Sequence, residues 1–322
     1  MTDQQTDNKP ESNGGSGVDA APVDDRTKPI QVVELDGPPA TGVLLRRAAL
    51  GALPALPGLG RLGGGGERGG DQLPRVEYRL DNQLVRRGQL AAYDQVCGFP
   101  LADELPATYP HVMAFPLALT LMSAPDFPFP LAGLLHVTNR ITVHRPIDAA
   151  EPLSLTVHAE QLRAHPRGRQ FDLVATASID EEVVWRGVST YLRREGARRG
   201  GGTDQVAEPA PTGGPGRWRV PASVGTRYAR VSGDHNPIHT SALGARLFGF
   251  RRRIAHGMWA KARCLAALAG RLPAAYTVTV GFKTPMPLPT SVSFTADCHD
   301  TGWEFTVRDL RTGRPHLTGD LG

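Results

Sequence analysis

From residue 73 onward the apolar positions fall into two successive runs of one kind, a helical segment followed by strands of alternating pattern. In the first run, Gln89–Val96 and Val112–Met122 read as helices, the second strongly apolar. Strands are expected over Leu135–Val143, Leu153–Ala164, Gln170–Ile179 and Val183–Leu192. In the second run a segment Tyr228–Ser232 precedes a helix near Gly257–Leu272. Strands follow over Tyr276–Thr284, Thr290–Cys298, Glu304–Leu310 and Pro315–Leu321. A helix that is apolar nearly all round has no face to give to water, so a curved sheet must wrap it in each run.

Short matches in the same order make the two runs look like copies. Tyr93-Asp-Gln-Val-Cys-Gly98 stands against Tyr228-Ala-Arg-Val-Ser-Gly233, and His111-Val-Met113 against His256-Gly-Met258, each opening an apolar helix. Arg145-Pro146 and Thr284-Pro285 then occupy corresponding strand ends. Three weak matches in one order argue for an internal repeat.

Outside these runs the pattern fails. Residues 1–30 are polar, with almost no large apolar side chains, and are expected to be disordered. Two apolar patches follow, Ile30–Leu35 and Val43–Ala52; the second reads as a short helix docked on the body or a frayed tail. Gly63–Gly66, with Gly69 and Gly70, is a hinge and not a phosphate loop, since no strand precedes it and no Gly-Lys-Ser/Thr follows. The expected layout is a disordered or loosely docked tail over 1–70, a first domain over 71–195, a linker over 196–217 and a second domain over 218–322.

Composition narrows the function classes. The 37 Gly and 28 Pro concentrate in these few segments, which excludes a uniformly packed single domain. A net charge of +4, with 32 Arg against 4 Lys and no clustered basic face, does not point to nucleic acid. Cys97, Cys264 and Cys298 are widely spaced, odd in number and without metal-ligand spacing, as reduced thiols of a cytoplasmic protein would be. The stretch Val43–Leu59 is broken by Arg46, Arg47, Pro54 and Pro57, and no basic start precedes an apolar run. A soluble protein without a membrane partner or targeting segment is expected.

The chemistry concentrates between Tyr228 and Met258. Taken alone, Ser232-Gly-Asp-His-Asn-Pro237 is turn sequence, and a solvated loop is its plain reading. Asp234 and His239, however, pair a carboxylate acceptor with an imidazole, groups suited to polarising one water between them. His256-Gly257 falls where the second helix begins, and a glycine N–H at a helix start suits a developing negative charge. His235 and His239 are four apart, but Pro237 between them breaks a regular helix and no third ligand has suitable spacing, so no metal is expected. Ser232 lacks a nucleophile elbow and reads as a loop hydrogen-bonder. His256 is expected to pack or hydrogen-bond at the helix start.

This stretch resembles the hydratase motif of the MaoC-like dehydratases, the (R)-specific enoyl-CoA hydratase group of the hot-dog superfamily. The residues that carry the resemblance are Tyr228, Ser232, Gly233, Asp234, Asn236, Pro237, His239, Gly249, Phe250, Ile254, Ala255, His256, Gly257 and Met258. The repeat resembles the double-hot-dog members. That implies an α+β double hot-dog fold: two antiparallel sheets, each wrapping a central helix, packed as an intramolecular pseudo-dimer, in a monomer or homodimer. The resemblance further implies reversible syn addition of water to a trans-2-enoyl thioester, giving the (3R)-hydroxyacyl thioester, with no cofactor. Asp234 and His239 would be the acid–base pair and the Gly257 N–H the oxyanion donor, while Asn236 braces the loop. Which of the pair takes the proton stays open.

The first copy departs from the motif. Phe99 stands where Asp234 would align and Val112 replaces the oxyanion glycine, so this copy is expected to be silent. Arg251, Arg252 and Arg253 are either a solvated charge run or a contact for CoA phosphates or for the acidic face of an acyl carrier protein. The rival functions are a hot-dog thioesterase and a non-catalytic acyl-thioester-binding subunit. Residues 1–65 are expected to be dispensable for turnover. Pro116, with Pro125, Pro128 and Pro130, is expected to leave the first apolar helix short, kinked or partly unwound. The space so opened, beside Phe115, Leu117, Leu121 and Phe127, would favour medium or long acyl chains.

Overall fold

A computed structural model describes residues 1, 29–45, 70–195 and 216–322. Eleven strands form one sheet in the order β1-β2-β4-β5-β6-β3-β8-β11-β10-β9-β7. They are β1 (Gln31–Glu34), β2 (Val76–Gln83), β3 (Leu134–Val143), β4 (Leu153–His165), β5 (Gly168–Ile179), β6 (Glu182–Arg194), β7 (Gly216–Val220), β8 (Tyr276–Phe282), β9 (Thr290–His299), β10 (Gly302–Asp309) and β11 (Pro315–Leu321). The helices are α1 (Arg87–Cys97), α2 (Tyr109–Ser123), α3 (Val224–Ser232), α4 (Pro237–Thr240), α5 (Ala242–Leu247) and α6 (Gly257–Ala267). None among the described residues is long and apolar enough to cross a membrane.

The repeat is visible in the topology. β2-β4-β5-β6-β3 and β7-β9-β10-β11-β8 are the same order read from opposite edges, meeting at β3 and β8. The expected two antiparallel sheets therefore join edge to edge, with Ile141 opposite Val278 and Asn139 opposite Val280. Helix α1 ends on Gly98 at φ 83° and α3 on Gly233 at φ 76°, each a left-handed cap returning its N–H to the carbonyl four residues back. A side chain at either position would strain that turn. Tyr93 and Tyr228, the paired tyrosines of the two motifs, lie 6.1 Å apart ring to ring in the core between the halves.

Helix α2 corrects the expectation drawn from its prolines. It runs unbroken for 15 residues around Pro116, longer than α6 with 11. Its missing N–H is tolerated because the surrounding sheet holds the helix by burial: Leu117 and Leu121 are fully buried, as is Phe127 in the loop beyond. These side chains fill the space that a loosened helix was to open, so the expected chain-length preference loses its structural basis. Helix α6 also ends earlier than Leu272.

Three strands are absent from the sequence reading: β1, β2 and β7, all toward the sheet edges. β1 lies inside the segment expected as a tail and pairs in parallel with β2, Gln31 opposite Val76. β7 begins at Gly216, two residues inside the expected linker; the rest of that linker and the hinge at Gly63–Gly66 lie outside the described residues.

Polar groups also lock the seam. Lys261, in the middle of α6, is fully buried; its Nζ donates to Asn139 Oδ1 at 2.7 Å, Val278 O at 3.0 Å and Asn139 O at 3.2 Å. Asn139 Nδ2 in turn donates to Ser189 Oγ at 3.0 Å. One lysine thus ties the helix of one half to both seam strands. Lys261→Met should lower the unfolding free energy by about 3 kcal/mol, because three buried hydrogen bonds between the helix and the seam are lost. Asn139→Ala should act on the same network, so urea denaturation of the double variant should show less than the sum of the two losses. Strict additivity would show that the two residues do not work as a unit.

Candidate active site

The chain leaves α3 through Gly233 into a loop built by its own short polar side chains. Asp234 N–H donates to Ser232 Oγ at 3.2 Å, and Asn236 N–H donates to Asp234 Oδ1 at 3.1 Å. Asn236 Oδ1 accepts from Ile238 N–H and so caps α4, where Pro237 takes the first position. That single turn carries His239 inward, 8% exposed, while His235 stays exposed. The two histidines do not converge.

His239 meets His256, the N-cap residue of α6, ring on ring at 3.8 Å between centroids. Tyr228 covers His256 at 4.9 Å. Asp234, His239 and His256 each offer an atom within 4.8 Å of the others. Thus residues from three elements and the loop between them come together, although 28 positions separate Tyr228 from His256.

Backbone carbonyls decide the imidazole tautomers, since a carbonyl only accepts. His239 Nδ1 lies 2.8 Å from Ile254 O and therefore carries the hydrogen, leaving Nε2 with a lone pair. His256 Nε2 lies 3.0 Å from Asp234 O and donates to it, while its Nδ1 is buried without a partner. Burial lowers both pKa values from 6.5, that of His256 to about 3, with its neighbour His239 adding to the effect. Asp234 opposes the shift in both. As for a metal, the His256 nitrogen nearest the Asp234 carboxylate, at 3.8 Å, already carries a donated hydrogen. The remaining donors, one carboxylate and one imidazole, do not fit a resident metal ion.

Gly257 opens α6, and its N–H belongs to the first turn, which has no intrahelical acceptor. A Cβ at this position would stand 2.8 Å from Phe282 Cε1, so only glycine lets the ring lie against the backbone here. In the first half α2 is already running at His111 and Val112, having begun at Tyr109, and Phe99 packs on Tyr93. No comparable helix-start corner forms there.

Arg251 and Arg252 are exposed and Arg253 half-buried, just before Ile254. No hydrogen bond or ion pair engages their guanidinium groups among the described residues, and none touches Asp234 or His239. Two further contacts were not legible in the sequence. Thr41, in a helical turn beginning at residue 41, lies 3.6 Å from the position a Cβ on Gly233 would take, with Phe115 at 3.9 Å. The first half brings His111 and Tyr191 within reach of the Asp234 charge, with His136 stacked on both.

With this geometry in place, comparison with known proteins is direct. The MaoC like domain family matches residues 219–318. A curated protein, 3-hydroxyacyl-thioester dehydratase X of Mycobacterium tuberculosis, is 37% identical over 279 residues, covering 86% of this chain and 96% of its own. The chain belongs to the MaoC-like dehydratases. It is a hydro-lyase by that membership. The crystal structure of HtdX from the same organism superposes with a TM-score of 0.68 at 36% identity, covering 76% of this chain and 98% of that one. Enoyl-CoA hydratase ChsH3 of M. tuberculosis is 28% identical over 209 residues, 59% of this chain and 71% of its own. A MaoC-like dehydratase from Phytophthora capsici, 17% identical, shares the fold with a TM-score of 0.62.

Two outcomes test this geometry. The negative charge of Asp234 favours the His239 imidazolium, so Asp234→Asn should move the His239 titration, already below 6.5, to still lower pH in an NMR titration. An upward shift would contradict the assigned proximity. Deleting residues 1–45 removes β1 and the Thr41 contact with the loop, against the expected dispensability of this segment. It should lower both the melting temperature and kcat/KM several-fold; unchanged kinetics would show that Thr41 plays no part at the loop.

Proposed function

We propose that this MaoC-like dehydratase interconverts (3R)-hydroxyacyl and trans-2-enoyl thioesters, adding or removing water on one face of the chain. The observation that carries the reading is the bare Nε2 lone pair of His239 beside the Asp234 carboxylate, with the Gly257 N–H at the adjacent helix start. The names of the similar proteins, one a 3-hydroxyacyl-thioester dehydratase and one an enoyl-CoA hydratase, support the substrate class.

In the hydration direction Asp234 accepts a hydrogen bond from one O–H of the attacking water, a hydrogen that stays on the oxygen. His239 Nε2 takes the proton of the other O–H as oxygen bonds to C3. The electron pair of the double bond moves to C2 and into the thioester carbonyl, whose oxygen gains negative charge and accepts from the Gly257 N–H. The imidazolium of His239 then gives its proton to C2 on the same face, which makes the addition syn and returns the base to its neutral form. Burial supports this role, since an imidazole that resists protonation stands ready as a base at neutral pH. His256 and Tyr228 hold the ring of His239 and the loop in place, Ser232 and Asn236 shape the loop backbone, and the first half is silent. Arg251, Arg252 and Arg253, just before the Ile254–Gly257 segment, would offer their charge to a phosphate on the thioester arm, a group common to CoA and to a carrier protein.

The deciding experiment assays the purified chain on enoyl-CoA and enoyl-carrier-protein side by side, following loss of enoyl absorbance and free thiol. Hydration without thiol release is expected; thiol release would make the protein a thioesterase. Asp234→Asn and His239→Ala should each lower turnover by about 10²–10⁴-fold, with the melting temperature nearly unchanged for Asp234→Asn and lowered for His239→Ala, which removes a buried ring and its bond to Ile254 O. Near-wild-type turnover in either variant would overturn the dyad.

A further inference from the structure

Within β3 the buried positions Asn139, Ile141 and Val143 are odd-numbered and face the helices. A bulge then inserts one residue, since His136 pairs with Tyr191 but Thr138 with Thr190. The phase of the strand shifts, and the even-numbered His136 joins the inward face. There it lies in a row of rings that crosses the seam: Phe282 at 4.9 Å, His136, Tyr191 at 4.7 Å and then Phe171, 5.7 Å from Tyr191. Phe282 is the ring that lies against Gly257. The row therefore leads from the proposed oxyanion corner into the silent half.

One polar atom in this row is left without a partner. His136 Nε2 is buried and has no hydrogen-bond partner, while the ring also interacts with the backbone of Thr138. Phenylalanine would stack equally well with no orphaned nitrogen, so packing alone does not account for an imidazole. Its flanking ring His111, 6.3 Å away, also lies within reach of the Asp234 charge. We propose that His136 is a substrate-recognition residue, its Nε2 accepting a hydrogen bond from an N–H or O–H group of the bound acyl thioester. The donor is an amide of the thioester arm or the hydroxyl on the acyl chain. This inference rests on the thioester reading above, and it gives the silent half a polar contact with the substrate.

The test compares His136→Phe with His136 intact in the full-length chain, by three readouts. The first is melting temperature, expected to be unchanged or raised. The second is calorimetric binding of (3R)-3-hydroxybutyryl-CoA in an Asp234→Asn background, expected to weaken about tenfold for the loss of one buried hydrogen bond. The third repeats the binding with the S-ethyl thioester of the same acid, which lacks the arm. A loss confined to the CoA ester identifies an arm amide as the donor, and an equal loss with both identifies the hydroxyl. Unchanged binding of both ligands would overturn the proposal and leave Nε2 to a structural water, even with full hydratase activity in the unmutated chain. Tenfold weaker binding in a chain that shows no turnover would sustain His136 as a ligand contact and overturn the dehydratase reading instead.

Discussion

The pairing of β3 with β8 is the constraint on which the rest of the molecule depends. Each half has one buried helix and half a sheet, and each half-sheet would end in an open edge, which invites mispairing. Joining the two edges removes both and fixes one register, with Ile141 opposite Val278. Lys261 reinforces that register from the helix side, because its three acceptors belong to both seam strands. The register places His136 of one half beside Phe282 of the other, and through Phe282 beside Gly257.

Around the site, backbone groups do the orienting. Ile254 O and Asp234 O each fix a tautomer, and burial of the two stacked imidazole rings, with Tyr228 against His256, favours their neutral form. A charged imidazole would be costly in that stack, so its electrostatic value lies in an available lone pair. The loop that presents Asp234 needs little core of its own. It is held by successive side-chain-to-backbone bonds from Ser232, Asp234 and Asn236, which is why a run of turn residues can hold a carboxylate in one position beside the two imidazoles.

The first half has no helix-start corner like that at Gly257, because α2 is already running at His111 and Val112. It brings the stacked rings of His111, His136 and Tyr191 and the ring of Phe115 near Gly233, while Thr41 reaches the same glycine from the N-terminal segment. The first half keeps its shape because its strands continue the sheet through β3 and β8.

The sequence by itself determined the repeat, the two wrapped helices, most inner strands and the Asp234–His239–Gly257 motif, because strong periodicity and turn chemistry are local signals. It did not reveal β1, β2 and β7. These strands, at the sheet edges or next to one, are short or carry charged residues such as Arg79 and Asp81, and little burial leaves no clear alternation to read. The prolines of α2 misled for a related reason: helix propensity is a weak local term, and the wrapping sheet overrode it. Only the tertiary structure decided that Thr41 reaches Gly233, that Lys261 bridges the seam, and that a one-residue bulge turns His136 inward. Each depends on a contact between distant parts of the chain, and a register shift of one residue, invisible in composition or spacing, would send His136 to the opposite face.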